Sequence, residues 1–265
     1  MSKKLLNFLI ILIGFSSCAP IEESDTFWNN IKTNSEYNPF VFIFSNSQIP
    51  TCANYAQPKL EEVLNGEIEG ISKDKVNGCM MYSSVSDYKL YSNIAEELKF
   101  LFDLNGDNTF KSYPAYVNNL ICYNVDSTSW HTSIKSDITK SPVIKLGIKT
   151  TPSGNQIKVY VKGEYTSSLS EHTVAVYVYR KSEQASQETS NGTELFTVKN
   201  KIYTALTPTS GRSLSANSSG QQFREIFTLD TNNENTLNLG IIAVVYRLID
   251  NKPTEILNSI RLDEL

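Results

Sequence analysis

The spacing of apolar positions changes twice along this chain. Residues 5–15 form a nearly unbroken apolar run behind Lys3 and Lys4. Such a run is too short for a transmembrane helix, which needs roughly 20 apolar residues to cross about 30 Å of hydrocarbon. From Phe40 to about Lys140, short apolar runs alternate with helical stripes. Phe40-Val41-Phe42-Ile43-Phe44 is continuous, the pattern of a strand buried on both faces. A Ser/Asn/Pro turn follows. Gln57 to Leu64 then reads as a helix with Pro58 in its first turn. Lys75 to Ser84 predicts a second strand, Tyr91 to Phe102 an amphipathic helix, Tyr116 to Tyr123 another strand and Ser129 to Ile138 a short helix. Beyond Ser141-Pro142 the period falls to two. Strands are predicted over 143–148, 156–165, 173–179, 201–206, 222–229, 239–248 and 255–262, separated by Ser, Gly and Asn clusters. The expectation is a two-domain α+β protein: an α/β layer over 39–140, then an antiparallel β-sandwich over 141–265.

Composition narrows this further. The chain has 265 residues, 40% hydrophobic and 20% charged, with a formal net charge of −4. That balance is globular, and no basic stripe points to nucleic acid. Two histidines are too few for a His-rich metal site. The cationic start, the apolar run and Phe15-Ser16-Ser17-Cys18 together resemble a bacterial lipoprotein signal. On that reading residues 1–17 are removed and Cys18 carries the lipid. Residues 18–38 form an acidic tether, and the membrane is a partner through the acyl chains, each buried CH₂ contributing about 0.8 kcal/mol.

A wider resemblance rests on Phe42-Ile43-Phe44-Ser45, Cys52 and Ser112-Tyr113-Pro114-Ala115-Tyr116-Val117-Asn118, followed in order by Trp130, Ser141-Pro142-Val143, 174–178, 198–203 and Leu257-Asn258. This series resembles the Bacteroidota family of the twenty-eight-kilodalton outer-membrane protein, over about residues 40–265. The resemblance implies a thioredoxin-like part followed by an immunoglobulin-like β-sandwich, with Pro114 as a cis-proline. It implies a lipoprotein of the outer membrane, surface-exposed or facing the periplasm, and supplies no activity. Relatives often carry Cys-x-x-Cys-Pro after the first strand. Here Ile49 stands three residues before Cys52 and Tyr55 three after it, so no pair forms.

The candidate chemistries follow from this. Thiol–disulfide exchange needs an attacking thiolate and a second thiol within reach. In an exported chain, a structural disulfide among Cys52, Cys79 and Cys122 with one thiol left over is the plainer expectation. The enzymatic alternative uses Cys52 with Cys79 or Cys122. Asp103-Leu104-Asn105-Gly106-Asp107 resembles the start of a calcium loop, but Asn108 stands where glycine belongs and Pro114 where the closing glutamate belongs. No catalytic serine elbow, metalloprotease helix or phosphate loop occurs. No cofactor, metal or catalytic residue is expected. The leading expectation is a non-enzymatic lipoprotein that binds a protein or glycan at the cell surface, using loops such as 182–194 and 207–220.

Overall fold

The computed structural model describes residues 23–87, 89–103, 111–231 and 234–265. Cys18, the lipoprotein-type signal and all but the first residue of the Asp103–Asp107 segment therefore lie outside the described residues. The chain divides into two compact units, residues 1–30 and 31–265. In the first, α1 (Asp25–Asn29) is capped by the Ser24 hydroxyl, which accepts from the Phe27 amide.

The second unit contains β1 (Phe40–Ser45), α2 (Pro50–Leu64), β2 (Asn77–Tyr82), α3 (Asn93–Asp103), β3 (Ala115–Asn118), β4 (Ile121–Asn124) and α4 (Ser127–Asp137). Then come β5 (Ile144–Ser153), β6 (Gln156–Tyr165), β7 (His172–Thr189), β8 (Gly192–Ala205), β9 (Arg212–Leu214), β10 (Gln222–Asp230), β11 (Leu239–Ile249) and β12 (Lys252–Leu262), with a short 3-10 turn at Thr236–Asn238 before β11. The fold is mixed α/β, mostly sheet, in two sheets. The larger runs β12-β11-β7-β8-β2-β1-β3-β4 with β9 beside β7, and the smaller is β10-β6-β5. No break occurs at Ser141: β8 lies parallel to β2 through the Met80–Lys201 pair, so strands from both halves share one sheet.

The period-two geometry of a strand explains the core. Phe40, Phe42 and Phe44 point to one face with Cys79 and Met81, where they meet Ala95 and Leu98 of α3 and Tyr177, Tyr179 and Tyr246. Val41 and Ile43 point to the other face with Met80 and Tyr82, under Cys52, Ala56 and Leu60 of α2 and Trp130 of α4. Trp130 is fully buried, and its indole N–H donates to the Val117 carbonyl at 3.2 Å. The third core lies between the two sheets. There Val174, Val176, Val178, Ile241, Ala243 and Val245 face Ile144, Leu146, Val159 and Val161.

Four local expectations are corrected. The helix read as Gln57 to Leu64 starts at Pro50, because Pro50 serves as its first residue, and Pro58 falls in its interior. Pro58 is exposed, so the carbonyl that it leaves unpaired faces water. The single strand read over 116–123 is a tight hairpin, β3–β4, turned by Asn119 (φ 46°) and Leu120 (φ 64°). A leucine in the left-handed region is costly, and the Asn118-Asn119 pair before it was the local sign of the turn. Residues 182–194, read as a loop, are the outer part of the β7–β8 hairpin, with Ser182 paired to Lys199 and Thr189 to Gly192. The ladder is made by backbone N–H and C=O groups, so polar side chains pair there as well as hydrophobic ones do. Finally, the segment read as a tether up to residue 38 is docked from Ile31 onward. Asn34 exchanges hydrogen bonds with the Leu146 backbone, and the Tyr37 hydroxyl donates to Ile256 O at 2.9 Å.

Candidate functional site

Strand β1 leaves the sheet through Asn46-Ser47-Gln48 and enters α2 at Ile49, an N-cap with no capping hydroxyl. The Cys52 amide donates to Ile49 O at 2.9 Å. The Tyr113–Pro114 peptide bond is cis and leads directly into β3. Between α2 and this bond lies an open groove of about 320 Å³, lined by Thr51, Tyr55 and Lys59 of α2 and by Pro114, Tyr116 and Val125. Tyr55 is 52% exposed and Val125 64% exposed, which makes the rim unusually apolar for a surface.

Beneath the groove the thiol is sealed. Cys52 is 2% exposed, and burial pushes its pKa up, with Asp87 adding to the effect and the Asn46 backbone opposing it. A thiol in that state is a poor nucleophile. The loop above it is locked from two sides. Asp87 Oδ1 accepts from the Ser47 amide at 2.6 Å and the Ser47 hydroxyl at 2.7 Å. From the outer β7 strand, Gln187 Nε2 reaches the carbonyls of Ser47 (3.0 Å), Asn46 (3.3 Å) and Ile49 (3.3 Å), while the Glu188 amide donates to Ser47 O at 2.7 Å. Burial pushes the Asp87 carboxyl above its usual range, against the Ser47 donors.

The structure does not contain the expected disulfide: no bridge joins Cys52, Cys79 or Cys122. The sheet explains why. Cys79 faces the α3 side and Cys52 the α2 side, so the sheet itself separates them. Cys122 shares the α3 side, in the row Cys79–Phe42–Val117–Cys122. That row places β2 and β4 three strand spacings apart, about 14 Å. A disulfide requires Cα atoms within about 7 Å. The same geometry places neither Cys79 nor Cys122 beside Cys52. Burial pushes the Cys79 thiol pKa up to about 12, which disfavours its thiolate.

Of the residues singled out in the sequence, Cys52 and Pro114 are thus brought to one place, and Cys79 and Cys122 are not. Sequence reasoning missed Thr51, Tyr55 and Val125. Starting α2 at Pro50 would have placed Thr51, Tyr55 and Lys59 along one helical stripe, with a tyrosine exposed on the polar face as the signal. Asp87 and Gln187 carried no local signal, because their partners are 40 and 140 residues away. Among the described residues no helix is long and apolar enough to cross a membrane, and no cluster of three or more His, Cys, Asp or Glu side chains could hold a metal.

No protein-family model matches this sequence, nor does any curated relative. Solved structures do match the fold. HBP35 of Porphyromonas gingivalis superimposes with a TM-score of 0.65 at 12% identity, over 88% of this chain and 77% of that one. A structural-genomics protein from Agrobacterium tumefaciens gives 0.60 at 10% identity, over 86% and 95%. A domain of the outer-membrane lipoprotein Omp28 from P. gingivalis matches 46% of this chain and 88% of its own, at 15% identity and a TM-score of 0.31, too low to carry an argument. At such identities the likeness is one of fold: this chain shares the architecture of HBP35 and of the Agrobacterium protein.

Proposed function

We propose that this chain is a non-enzymatic lipoprotein, anchored through Cys18 to the outer membrane, that binds a protein partner at the cell surface through the groove beside Pro114. On this reading the β1–α2–β2–β3–β4 part is a thioredoxin-like layer without its dithiol, and the strands after Ser141 form an immunoglobulin-like sandwich that carries it. One observation supports this above the others. The thiol at the helix N-terminus is sealed and, among the described residues, has no cysteine beside it, while an apolar groove remains open beside Pro114. A site kept for binding needs that surface; a site kept for electron exchange needs the thiols.

The test replaces Tyr55 with a photo-crosslinking residue in living cells. A discrete crosslinked protein, lost when Val125→Asp is added, is the expected result. Loss of capture must occur with the melting temperature unchanged. Catalysed reduction of a protein disulfide that disappears in Cys52→Ser would overturn the reading. Protection of Tyr55 and of the whole chain from protease added to intact cells would overturn the surface assignment. Retention in the membrane fraction by Cys18→Ala would overturn the anchor.

A further inference from the structure

On the opposite side of the large sheet, helix α3 begins in an unusual way. Ser92 immediately precedes its first residue and occupies the capping position. Its amide donates to Tyr82 O at 3.0 Å and its carbonyl accepts from the Glu96 amide at 3.1 Å. A serine in this position normally uses its hydroxyl to accept from the first turn of the helix. The Ser92 side chain does not. It is 5% exposed, and its Oγ has no hydrogen-bond partner. Leaving a buried hydroxyl unsatisfied is costly. Something outside the chain is the natural partner.

The space beside it is a cavity of about 490 Å³, lined by Ser92, Asn93 and Ile94 at the helix start and by Lys201 and Tyr203 of β8. That volume is within the range of small-molecule sites. Lys201 is 4% exposed although it carries an ammonium group. Its Nζ donates to Lys89 O at 3.1 Å and pairs with Glu183 at 2.5 Å. An ammonium has three N–H donors, so one remains for the cavity. The first amides of a helix also lack partners within the helix and favour an anion. A hydroxyl-bearing residue, a lysine and the helix start thus line one cavity, and each suits a carboxylate oxygen.

The charges lining the cavity define the rest of the ligand. Lys201 is offset by Glu183, and Arg180 by Glu234 at 3.0 Å. What remains of the lining is Lys89 on one hand and Glu97 on the other. The site is nearly neutral overall, which does not match a dianion such as phosphate. Glu97 is placed to receive a cation, with the Thr209 hydroxyl donating to one of its oxygens. Tyr203, held under the Arg180 guanidinium at 4.2 Å, supplies an aromatic wall. Burial draws the Lys201 pKa down while Glu183 opposes it, so a second carboxylate would be welcome there.

We propose that the cavity at the start of α3 binds a small zwitterion, a free amino acid or a dipeptide. Its carboxylate sits against Ser92 Oγ, Lys201 Nζ and the helix amides, and its ammonium against Glu97. This site shares no lining residue with the groove beside Pro114.

The probe is L-alanyl-L-alanine, titrated into the ¹⁵N-labelled protein and followed by amide chemical shifts. Saturable shifts at Ser92, Asn93, Lys201 and Tyr203 are expected. Ser92→Ala removes no internal hydrogen bond and should weaken binding by about tenfold or more, the effect of one hydrogen bond to a charged group. Glu97→Gln should weaken the dipeptide but not its N-acetyl form. The N-acetyl and C-amide forms should each bind less tightly than the parent. Equal binding by the N-acetyl form overturns the ammonium contact, and equal binding by the amide form overturns the carboxylate contact. Shifts confined to Tyr55 and Val125, no saturation by about 50 mM, the limit of a useful weak affinity, or an unaffected Ser92→Ala variant each overturn the site.

Discussion

Two helices of this fold start close to the sheet on opposite faces, and each brings a small polar side chain to its N-terminus. At α2 that residue is Cys52, and everything around it is closed: Gln187 and Asp87 tie down the loop above, and α2 covers the thiol. At α3 it is Ser92, equally buried, yet its hydroxyl is unpaired beside a cavity that contains a lysine donor. A helix start therefore does not define a site by itself. The difference lies in what the C-terminal half places against it. The same β7–β8 hairpin delivers Gln187 to close the first and Lys201 to furnish the second.

The contrast can be broken most strongly at Gln187. Its amide serves several buried carbonyls at once. Gln187→Ala leaves them unsatisfied and should destabilise the protein by about 1–3 kcal/mol, measured by urea unfolding. If the seal is what protects Cys52, the variant should also react faster with a thiol reagent. Unchanged reactivity would mean that α2 alone hides the thiol.

Asp87→Asn should have a smaller effect whose sign depends on pH. Burial raises the folded-state pKa of Asp87 above its unfolded value. The wild-type carboxyl therefore contributes stability that is complete below the unfolded pKa and is lost as pH rises through the folded pKa. Asparagine keeps an acceptor for the Ser47 donors and carries no charge. The variant should thus gain on the wild type between pH 4 and pH 7, read from urea midpoints at both. A constant difference would show that Asp87 does not titrate with folding.

Cys122, half-buried at the sheet edge, should be modified before Cys52 and Cys79, which are buried. Peptide mapping after brief alkylation of the folded protein checks this order. The smallest effect is expected for Ser92→Ala, within about 0.5 kcal/mol of wild type, because the hydroxyl has no internal partner to lose. A large loss would mean that Ser92 caps α3 after all.

How far the sequence carried the description depends on the range of the forces involved. Strand β1 was legible because five consecutive apolar residues can only be buried on both faces, and β6 was legible end to end because Gly154 and Asn155 mark a turn between alternating runs. The start of α2 was hidden by a proline that looks like a breaker and acts as the first residue. The outer hairpin was hidden because its side chains are polar and its order comes from pairing across the turn and from Ala185 and Val198 packing under α2.

Local patterning thus determined most element types, the change of period near Ser141 and the absence of a neighbouring cysteine for Cys52. Tertiary structure alone decided that both halves share one sheet, that the thiols stand on different faces or several strands apart, and that Ser92 and Lys201, more than a hundred residues apart, line one cavity. The physical reason is that propensity and periodicity act within a few residues. The register between distant strands, which sets every one of those distances, is chosen only when the whole sheet assembles.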